Sequence, residues 1–288
     1  MAASPSDVLQ SLWWTAPGHE MVAATKQPSA CLSYSETDAK IVYAGQALFN
    51  TPALLGGQAA KANISCASCH ANGRDNPHFF VQGLSKEPGT ADVTSAFFSL
   101  ARANAVADAA HIPDLAQPGK ISRADNDPAL GRFIRTLIVE EFSGKEPSAT
   151  TLSALAHYVR SIRICEGSGL QSRSVRDQIA LIDAAFEGLQ RPSDAATTQL
   201  LIRTVRHQLG LINERYPGAR FAAQRQALLN SSRHLETLGE ESDIALRAVA
   251  LAAWRHDFKA DFAPGLIAAE RHSLYNERVF SAALKKAR

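Results

Sequence analysis

The chain has 288 residues, of which 45% are hydrophobic and 20% charged, with 30 Lys and Arg against 28 Asp and Glu. This near balance of charge gives no electrostatic support for nucleic-acid binding, and no run of about eighteen or more apolar residues marks a membrane-spanning helix. The composition is that of a globular protein with one large or two modest cores.

Residues 1–34 predict an irregular segment. Pro, Ser and Gly are scattered through it, and the Trp13-Trp14 pair is expected to pack over a neighbouring surface. Met1 to Glu20 contains no basic region followed by an apolar core, so the sequence shows no secretory signal peptide at this position.

The first predicted helix covers residues 36–49. Its apolar residues lie near one stripe, and Ser35 or Thr37 is expected to cap its start. Residues 50–65 contain Pro and paired Gly, which predict a loop.

Residues 71–128 carry many turn signals, although the pattern also allows a helix over 91–103. Two longer helices are predicted after this stretch. One covers 128–142, and the other covers 148–164 with Ser148 as its cap.

Residues 166–288 form the last predicted segment. Leu, Ile, Ala and Phe recur there at helical spacing, with almost no strand signal. Turn signals divide it into about five helices. These are expected near 173–190, 193–214, 218–238, 241–259 and 265–286. Because the connections are short, neighbouring helices should be antiparallel and form a bundle.

The motif that carries chemistry is Cys66-Ala67-Ser68-Cys69-His70, which is a C-x-x-C-H sequence. Two thiols at this spacing lie about one helical turn apart, so each can bond one vinyl-derived carbon of a haem, and the following His becomes the proximal iron ligand. A zinc knuckle would need a second ligand pair at short spacing, and a thioredoxin-like dithiol would need a preceding strand. The motif therefore predicts one covalently attached haem c, with His70 on the iron.

The two remaining cysteines, Cys31 and Cys165, flank the region between residues 35 and 165. In an oxidising compartment the simplest expectation is that they form a disulfide. The alternative is two free, buried thiols.

Gly45 and Phe49 precede the motif, and Tyr158 lies in a predicted helix that follows it. This combination resembles class I cytochrome c, in which a first helix with G-x-x-x-[FY] crosses a last helix that bears an aromatic residue. The Gly of that pattern lets the two backbones approach closely. The resemblance implies one cytochrome c domain over residues 35–165.

The stretches GQALFNTPALL and ISCASCHANGRDNP resemble the N-terminal haem segment of the bacterial di-haem cytochrome c peroxidase and MauG-like group. The resemblance covers roughly residues 40–165. Those enzymes have a second C-x-x-C-H domain, whereas this chain has one motif, so two-haem peroxidase chemistry is not implied.

The sixth iron ligand is left open by the sequence. Both methionines, Met1 and Met21, lie upstream of the motif, so the usual distal Met is not expected. His111 is the favoured candidate for the distal iron ligand, and His78 and His157 are less favoured candidates. An open or water-bound iron is the remaining alternative.

Three more residues are candidates for supporting roles. Arg74 is expected to form a charge-assisted pair with a haem propionate, or else to face solvent in a turn. Glu140 and Glu141 are candidate acid-base groups for a peroxidase-like reaction, although solvated charges at a helix end are the simpler expectation.

Together these patterns predict an all-α protein with a class I cytochrome c-like haem domain followed by a helical bundle of unknown role. The favoured function is electron transfer by a periplasmic mono-haem cytochrome with a redox partner protein. The alternatives are a haem peroxidase-like enzyme or small-gas or peroxide sensor, and a binding protein centred on the bundle.

Overall fold

The computed structural model describes residues 8–104, 106–167, 169–191 and 193–287. The chain is mostly helical, which confirms the all-α prediction. The α-helices of these ranges are α1 (Glu20–Thr25), α2 (Ala39–Phe49), α3 (Pro52–Leu55), α4 (Gly57–Lys61), α5 (Cys66–Cys69), α6 (Ala129–Thr136), α7 (Ala149–Ser161), α8 (Val175–Leu189), α9 (Ala195–Arg215), α10 (Ala222–Glu240), α11 (Ile244–Asp257), α12 (Ala263–Ala269) and α13 (Glu277–Ala287). Two π-helices, Leu137–Glu141 and Phe258–Phe262, extend α6 and α11.

Short strands tie distant parts of the described chain together in three antiparallel pairs. The pairs are β1 (Lys26–Pro28) with β6 (Leu170–Ser172), β2 (Cys31–Leu32) with β5 (Ile162–Arg163), and β3 (Thr90–Ala91) with β4 (Ala110–His111). The first two pairs join the N-terminal segment to the chain on either side of residue 165.

The N-terminal segment is more regular than the sequence predicts. A 3₁₀ turn (Gln10–Trp14) is followed by α1, β1 and β2, so the expectation of an irregular segment is wrong for residues 10–32. Its strands form only because partners about 130–150 residues away complete them, as in the pairing of Cys31 with Arg163. Trp14 is buried but Trp13 is 56% exposed, so only one of the two indoles packs as expected. Residues 1–7 lie outside the described ranges.

Helices α2 and α7 confirm two sequence predictions, and the predicted caps are present. The Ser35 hydroxyl caps a 3₁₀ turn (Glu36–Asp38) that leads into α2 and accepts a hydrogen bond from the Asp38 N–H at 3.3 Å, and the Ser148 hydroxyl caps α7 and accepts one from the Thr151 N–H at 3.1 Å. Each cap satisfies a backbone donor that the first turn of a helix leaves without a partner.

The helices α2 and α7 cross at Gly45. A Cβ atom at this position would lie 2.0 Å from the Ala154 carbonyl oxygen and 2.7 Å from the Tyr158 Cβ. The aromatic rings of Phe49 and Tyr158 also meet, with centroids 5.1 Å apart. The predicted close approach of these helices is therefore present.

Two local predictions before α7 are wrong. Ala91 ends β3 and the residues up to 103 form turns and bends instead of a helix, and the expected loop over 50–65 contains α3 and α4. Tertiary bonds hold the first of these stretches: the Ser99 hydroxyl donates to the Glu140 carbonyl oxygen at 2.6 Å. Such long-range partners override local helix propensity.

The C-terminal bundle matches the prediction for its first four helices, α8 to α11, but the fifth is wrong. The chain continues from α11 through the second π-helix into α12, and breaks at residues 273–276 before α13. Pro264 does not end the helix because it lies in the first turn of α12, where a missing N–H is tolerated.

The bundle packs directly on α2. Gly188 of α8 lies so close to Ala44 that an added Cβ would be 2.9 Å from the Ala44 Cβ. Thr51 and Thr204 of α9 share a buried hydrogen bond. One hydrophobic core therefore runs from the motif-bearing part into the bundle. Within the described ranges, none of the helices combines the length and apolarity needed to cross a membrane.

Candidate functional site

The motif Cys66–His70 is held on one short helical turn, α5 and its C-cap. The Ser65 side chain accepts from the backbone N–H of Ser68, and the Ser68 hydroxyl accepts from the Ser65 N–H at 3.1 Å. The His70 N–H then donates to the Cys66 carbonyl at 2.8 Å. This reciprocal cap fixes both thiols and the imidazole next to one another.

The thiols of Cys66 and Cys69 are free and half-buried, and both pack against the main hydrophobic core. Burial raises the pKa of each thiol to about 12, and the neighbouring Cys66 adds to the shift at Cys69. Catalytic dithiols have the opposite property, because a nucleophilic cysteine has a lowered pKa. The site is therefore suited to thiols that stay protonated until they are modified.

The orientation of His70 is set by a backbone carbonyl far along the chain. Its Nδ1 lies 3.0 Å from the carbonyl oxygen of Pro113. A carbonyl can only accept, so Nδ1 carries the proton and Nε2 keeps a free lone pair. Burial lowers the pKa of His70 to about 4, so the ring is neutral near pH 7. A neutral imidazole with its other nitrogen held in this way is the form that ligates metals.

Arg74 and Asp114 form an ion pair that holds the loop with this carbonyl in place. We call this pair the Arg74–Asp114 clamp. The guanidinium donates from Nε to both carboxylate oxygens, at 2.8 and 2.9 Å, and from Nη2 at 2.7 Å. Burial would raise the pKa of Asp114, but the hydrogen bonds from Arg74 and the Ala116 N–H together with the Arg74 charge outweigh it, so this pKa is lowered. The sequence suggests a haem propionate or solvent as the surroundings of Arg74; the structure pairs its guanidinium with Asp114, one residue after Pro113.

We expect Asp114→Asn to lower the free energy of unfolding by about 1–3 kcal/mol at pH 7, because it leaves a mostly buried guanidinium without its counter-charge. Urea unfolding checks this value. The pKa of Asp114 is lowered in the fold, so its contribution is present above the ordinary Asp pKa of about 4 and is lost as the pH falls through the folded value. The difference between the two proteins should therefore shrink below about pH 4.

The matched control for this substitution is Glu236→Gln, which removes a carboxylate from the more exposed ion pair with Arg206. Solvent screening limits such pairs, so its effect should stay below about 1 kcal/mol. Equal effects of the two substitutions would contradict the positioning role of Asp114.

Arg123 is a residue of this site that the sequence analysis missed. The Arg123 guanidinium donates a hydrogen bond to the Leu115 carbonyl, next to the Arg74–Asp114 clamp. Burial and the charge of nearby Arg163 lower the pKa of Arg123. Among the residues that the structure describes, it has no ion pair with a carboxylate. No sequence motif marks it, because its role depends on the path of the loop between β4 and α6.

The structure gives each histidine candidate for the sixth ligand identifiable neighbours. His111 lies in β4 opposite Thr90 of β3, and its side chain is 80% exposed and 3.6 Å from Glu87. It lies two residues before Pro113, whose carbonyl contacts the Nδ1 of His70. His78 instead pairs with His19, Nδ1 to Nδ1 at 2.9 Å.

The other candidates also have identifiable surroundings. His157 contacts the Ser153 carbonyl on its own helix through Nδ1, at 2.8 Å. Met21 packs in a second, smaller hydrophobic cluster with residues of α13, apart from the core that holds the motif. Met1 lies outside the described residues.

Glu140 and Glu141 differ sharply in environment. Glu140 is partly exposed and pairs with Arg102 at 2.6 Å, as a solvated helix end would. Glu141 is 5% exposed, and its Oε2 is buried with no hydrogen-bond partner among the described residues. Burial raises the pKa of Glu141, although Arg102 opposes the shift. The expectation of a solvated charge is therefore wrong for Glu141.

The expected disulfide between Cys31 and Cys165 is present, with the two Cα atoms 5.4 Å apart. The β2–β5 pair brings the two residues together, since Cys31 lies opposite Arg163. The alternative of two free thiols is thereby excluded.

Within the part of the chain that the structure describes, no group of three or more His, Cys, Asp or Glu side chains is arranged to hold a metal ion. Comparison with known proteins gave no matching family model, no matching characterised protein and no matching solved structure. The functional argument therefore depends on the site itself.

Proposed function

We propose that this protein is a mono-haem c-type cytochrome that carries haem c on Cys66 and Cys69, with His70 on the iron. The proposal depends on one observation, which is how the motif residues are arranged. Two free, half-buried thiols lie on one turn beside a neutral imidazole whose Nδ1 is held by the Pro113 carbonyl. These are the donor atoms that thioether attachment and axial ligation require.

The surroundings of the motif fit this group. The ring centroids of Phe49 and His70 are 6.3 Å apart, and Phe49 packs against Tyr158. These two aromatic rings supply an apolar wall for the site. Arg123 supplies a cation that forms no ion pair in the described chain, although Asp114 is near enough to interact with its charge, and such a cation suits a haem propionate. When bound, haem c would supply a reversible electron carrier.

The chain's own residues would then hold and tune that carrier. Cys66 and Cys69 would hold it covalently, and Nε2 of His70 would be the nitrogen available to the iron. Pro113 orients the imidazole through Nδ1, and the Arg74–Asp114 clamp holds Pro113 in place. The function that follows is electron transfer with a redox partner protein. The disulfide between Cys31 and Cys165 supports an oxidising compartment, which we propose is the periplasm.

Expression together with a bacterial cytochrome c maturation system tests the proposal. The protein should keep a haem signal on a denaturing gel and after extraction with acid and acetone, and Cys66→Ala/Cys69→Ala should lose it. Cys31→Ala/Cys165→Ala is the matched control, because it removes the other two cysteines and should keep the signal. A wild-type protein that holds no covalent haem under these conditions would overturn the proposal.

A second candidate function is a haem enzyme or sensor with an exchangeable sixth position. Two observations favour it: His78 and His157 have other partners, and the buried Glu141 carboxyl can hold a proton. Optical spectra of the reduced protein with and without CO separate the two functions. An unchanged low-spin spectrum supports the electron carrier, whereas a high-spin ferric form that binds CO on reduction supports the enzyme or sensor.

A further inference from the structure

A cavity of about 420 Å³ lies between the motif helix α5, the N-terminal segment and the bundle. Its walls are the N-terminal segment, the end of α2, α5 with the loop that follows it, and the facing sides of α8 and α9. The lining includes Ala67 and Ser68 but not Cys66, Cys69 or His70. The cavity is therefore separate from the face of α5 that carries the thiols and the imidazole, and its volume suits a small molecule.

Two arginines of the lining, Arg173 and Arg215, form no ion pair with a carboxylate of the described chain. Arg215 is buried and Arg173 is half-buried. Their guanidiniums donate to neutral oxygens, which are those of Lys26 and Gln27 for Arg173 and those of Ala24 and Leu274 for Arg215. A guanidinium has more N–H donors than these bonds use.

The acidic groups nearby do not offset these two charges. Burial and the charge of Arg215 lower the pKa of Arg173 to about 10, although Asp177 and Tyr275 oppose the shift. Burial also lowers the pKa of Arg215, against the effects of Tyr275 and Glu214. Buried cations are normally paired with an anion, so this part of the cavity favours an anionic group of a ligand.

The other charged residues of the lining have partners or are exposed. Lys26 pairs with Glu277 at 2.5 Å. Asp177 and Glu214 each accept a hydrogen bond from a backbone N–H, at 2.7 and 2.9 Å. Asp75 is exposed. The two arginines are therefore the cations of the cavity that an anion would neutralise.

Two asparagines of the lining present free acceptors. The amide of Asn50 donates to the Gln46 carbonyl at 2.9 Å, and that of Asn72 donates to the Pro28 carbonyl at 2.8 Å. Because a carbonyl only accepts, both asparagines use their NH₂ groups in these bonds, and their side-chain oxygens have no hydrogen-bond partner in the described chain. Such oxygens can accept from the hydroxyl groups of a ligand.

Helix α9 contributes two more polar groups without partners in the described chain. Gln208 is 1% exposed, and its Oε1 accepts no hydrogen bond. The half-buried ring of His207 forms no hydrogen bond either, and burial lowers its pKa to about 4, so the ring is neutral at about pH 7. A neutral imidazole has one donor and one acceptor to offer. A polar occupant of the cavity would satisfy groups that the protein leaves unpaired.

We propose that this cavity binds a small organic acid that carries several hydroxyl groups, such as a sugar acid. Its carboxylate accepts hydrogen bonds from Arg173 and Arg215 and supplies the missing negative charge. Its hydroxyls pair with the free oxygens of Asn50 and Asn72 and with the ring of His207. A neutral sugar would leave the cations uncompensated, and a simple carboxylate would leave the acceptors unpaired.

Calorimetric titration of the full-length protein with D-gluconate tests the proposal, because gluconate combines a carboxylate with a chain of hydroxyls. We expect saturable binding of one gluconate per chain. D-glucose lacks the carboxylate and acetate lacks the hydroxyls, so each should bind more weakly by about tenfold or more. The absence of saturable gluconate binding, or glucose or acetate binding as tightly as gluconate, would contradict the proposal.

Two substitutions assign the binding to this cavity. Arg173→Met should weaken gluconate binding by about tenfold or more, and His207→Leu by about threefold. The matched controls Arg206→Met and His234→Leu change residues outside the lining and should keep the wild-type affinity.

Circular dichroism shows whether each variant is folded. His207→Leu removes no hydrogen bond of the described chain, so it decides the question even if Arg173→Met does not fold. Wild-type affinity in a folded variant at either position would show that gluconate binds elsewhere.

Discussion

Replacing Gly45 by alanine should lower the free energy of unfolding by about 3 kcal/mol or more. Overpacking a core usually costs about 1–3 kcal/mol, because flexible side chains move aside. Here the added Cβ would meet the backbone of α7, 2.0 Å from the Ala154 oxygen and 2.6 Å from its carbonyl carbon. The two helices must therefore separate as rigid bodies, which also loosens the contact between Phe49 and Tyr158.

Urea unfolding of Gly45→Ala and of a matched variant, Gly210→Ala, measures this effect. Gly210 is also in a helix interior, in α9, but nothing lies within 4 Å of the position of its Cβ. Alanine is the better helix former, so Gly210→Ala should gain up to about 1 kcal/mol. The two substitutions should thus change the free energy of unfolding in opposite directions. A loss of less than about 1 kcal/mol for Gly45→Ala would show that α2 and α7 are not in such close contact.

Removing the disulfide with Cys31→Ala/Cys165→Ala should lower the free energy of unfolding by about 4–5 kcal/mol. The bond closes a chain segment with a sequence separation of 134 residues, and the entropy that a cross-link removes from the unfolded chain grows with this length. The β2–β5 pair is too short to hold the two segments together by itself.

Thermal or urea unfolding with and without a reductant checks this expectation. Reduction should destabilise the wild type to the level of the double variant and leave the double variant unchanged. Substitution of only one of the two cysteines should have nearly the full effect. A double variant as stable as the oxidised wild type would show that the bond does not constrain the unfolded chain as expected.

The parts of the site that the sequence predicts are those encoded by neighbouring residues. Cys66, Cys69 and His70 are adjacent, and the caps at Ser35 and Ser148 act within one helical turn. The motif and the caps depend on short-range geometry that the order of residues specifies. The Gly45 crossing is different, because it joins distant parts of the chain and was expected only from the combination of Gly45, Phe49 and Tyr158.

The parts that the sequence does not predict depend on contacts between distant residues. Pro113 contacts His70 from 43 residues away, in a loop whose position no local sequence pattern determines. Glu141 has the local pattern of a solvated helix end and is nevertheless buried. The strands β1 and β2 have no local signal, because each consists of two or three residues completed by a distant partner.

The short β2–β5 ladder bears on which of the four cysteines form a disulfide. Four cysteines can pair in more than one way during oxidation, and a bond to Cys66 or Cys69 would block the motif. The fold, of which the ladder is a part, sets Cys31 and Cys165 at a Cα separation of 5.4 Å, within the reach of a disulfide, and so favours oxidation of that pair. A bond between these two cysteines leaves the motif cysteines chemically available.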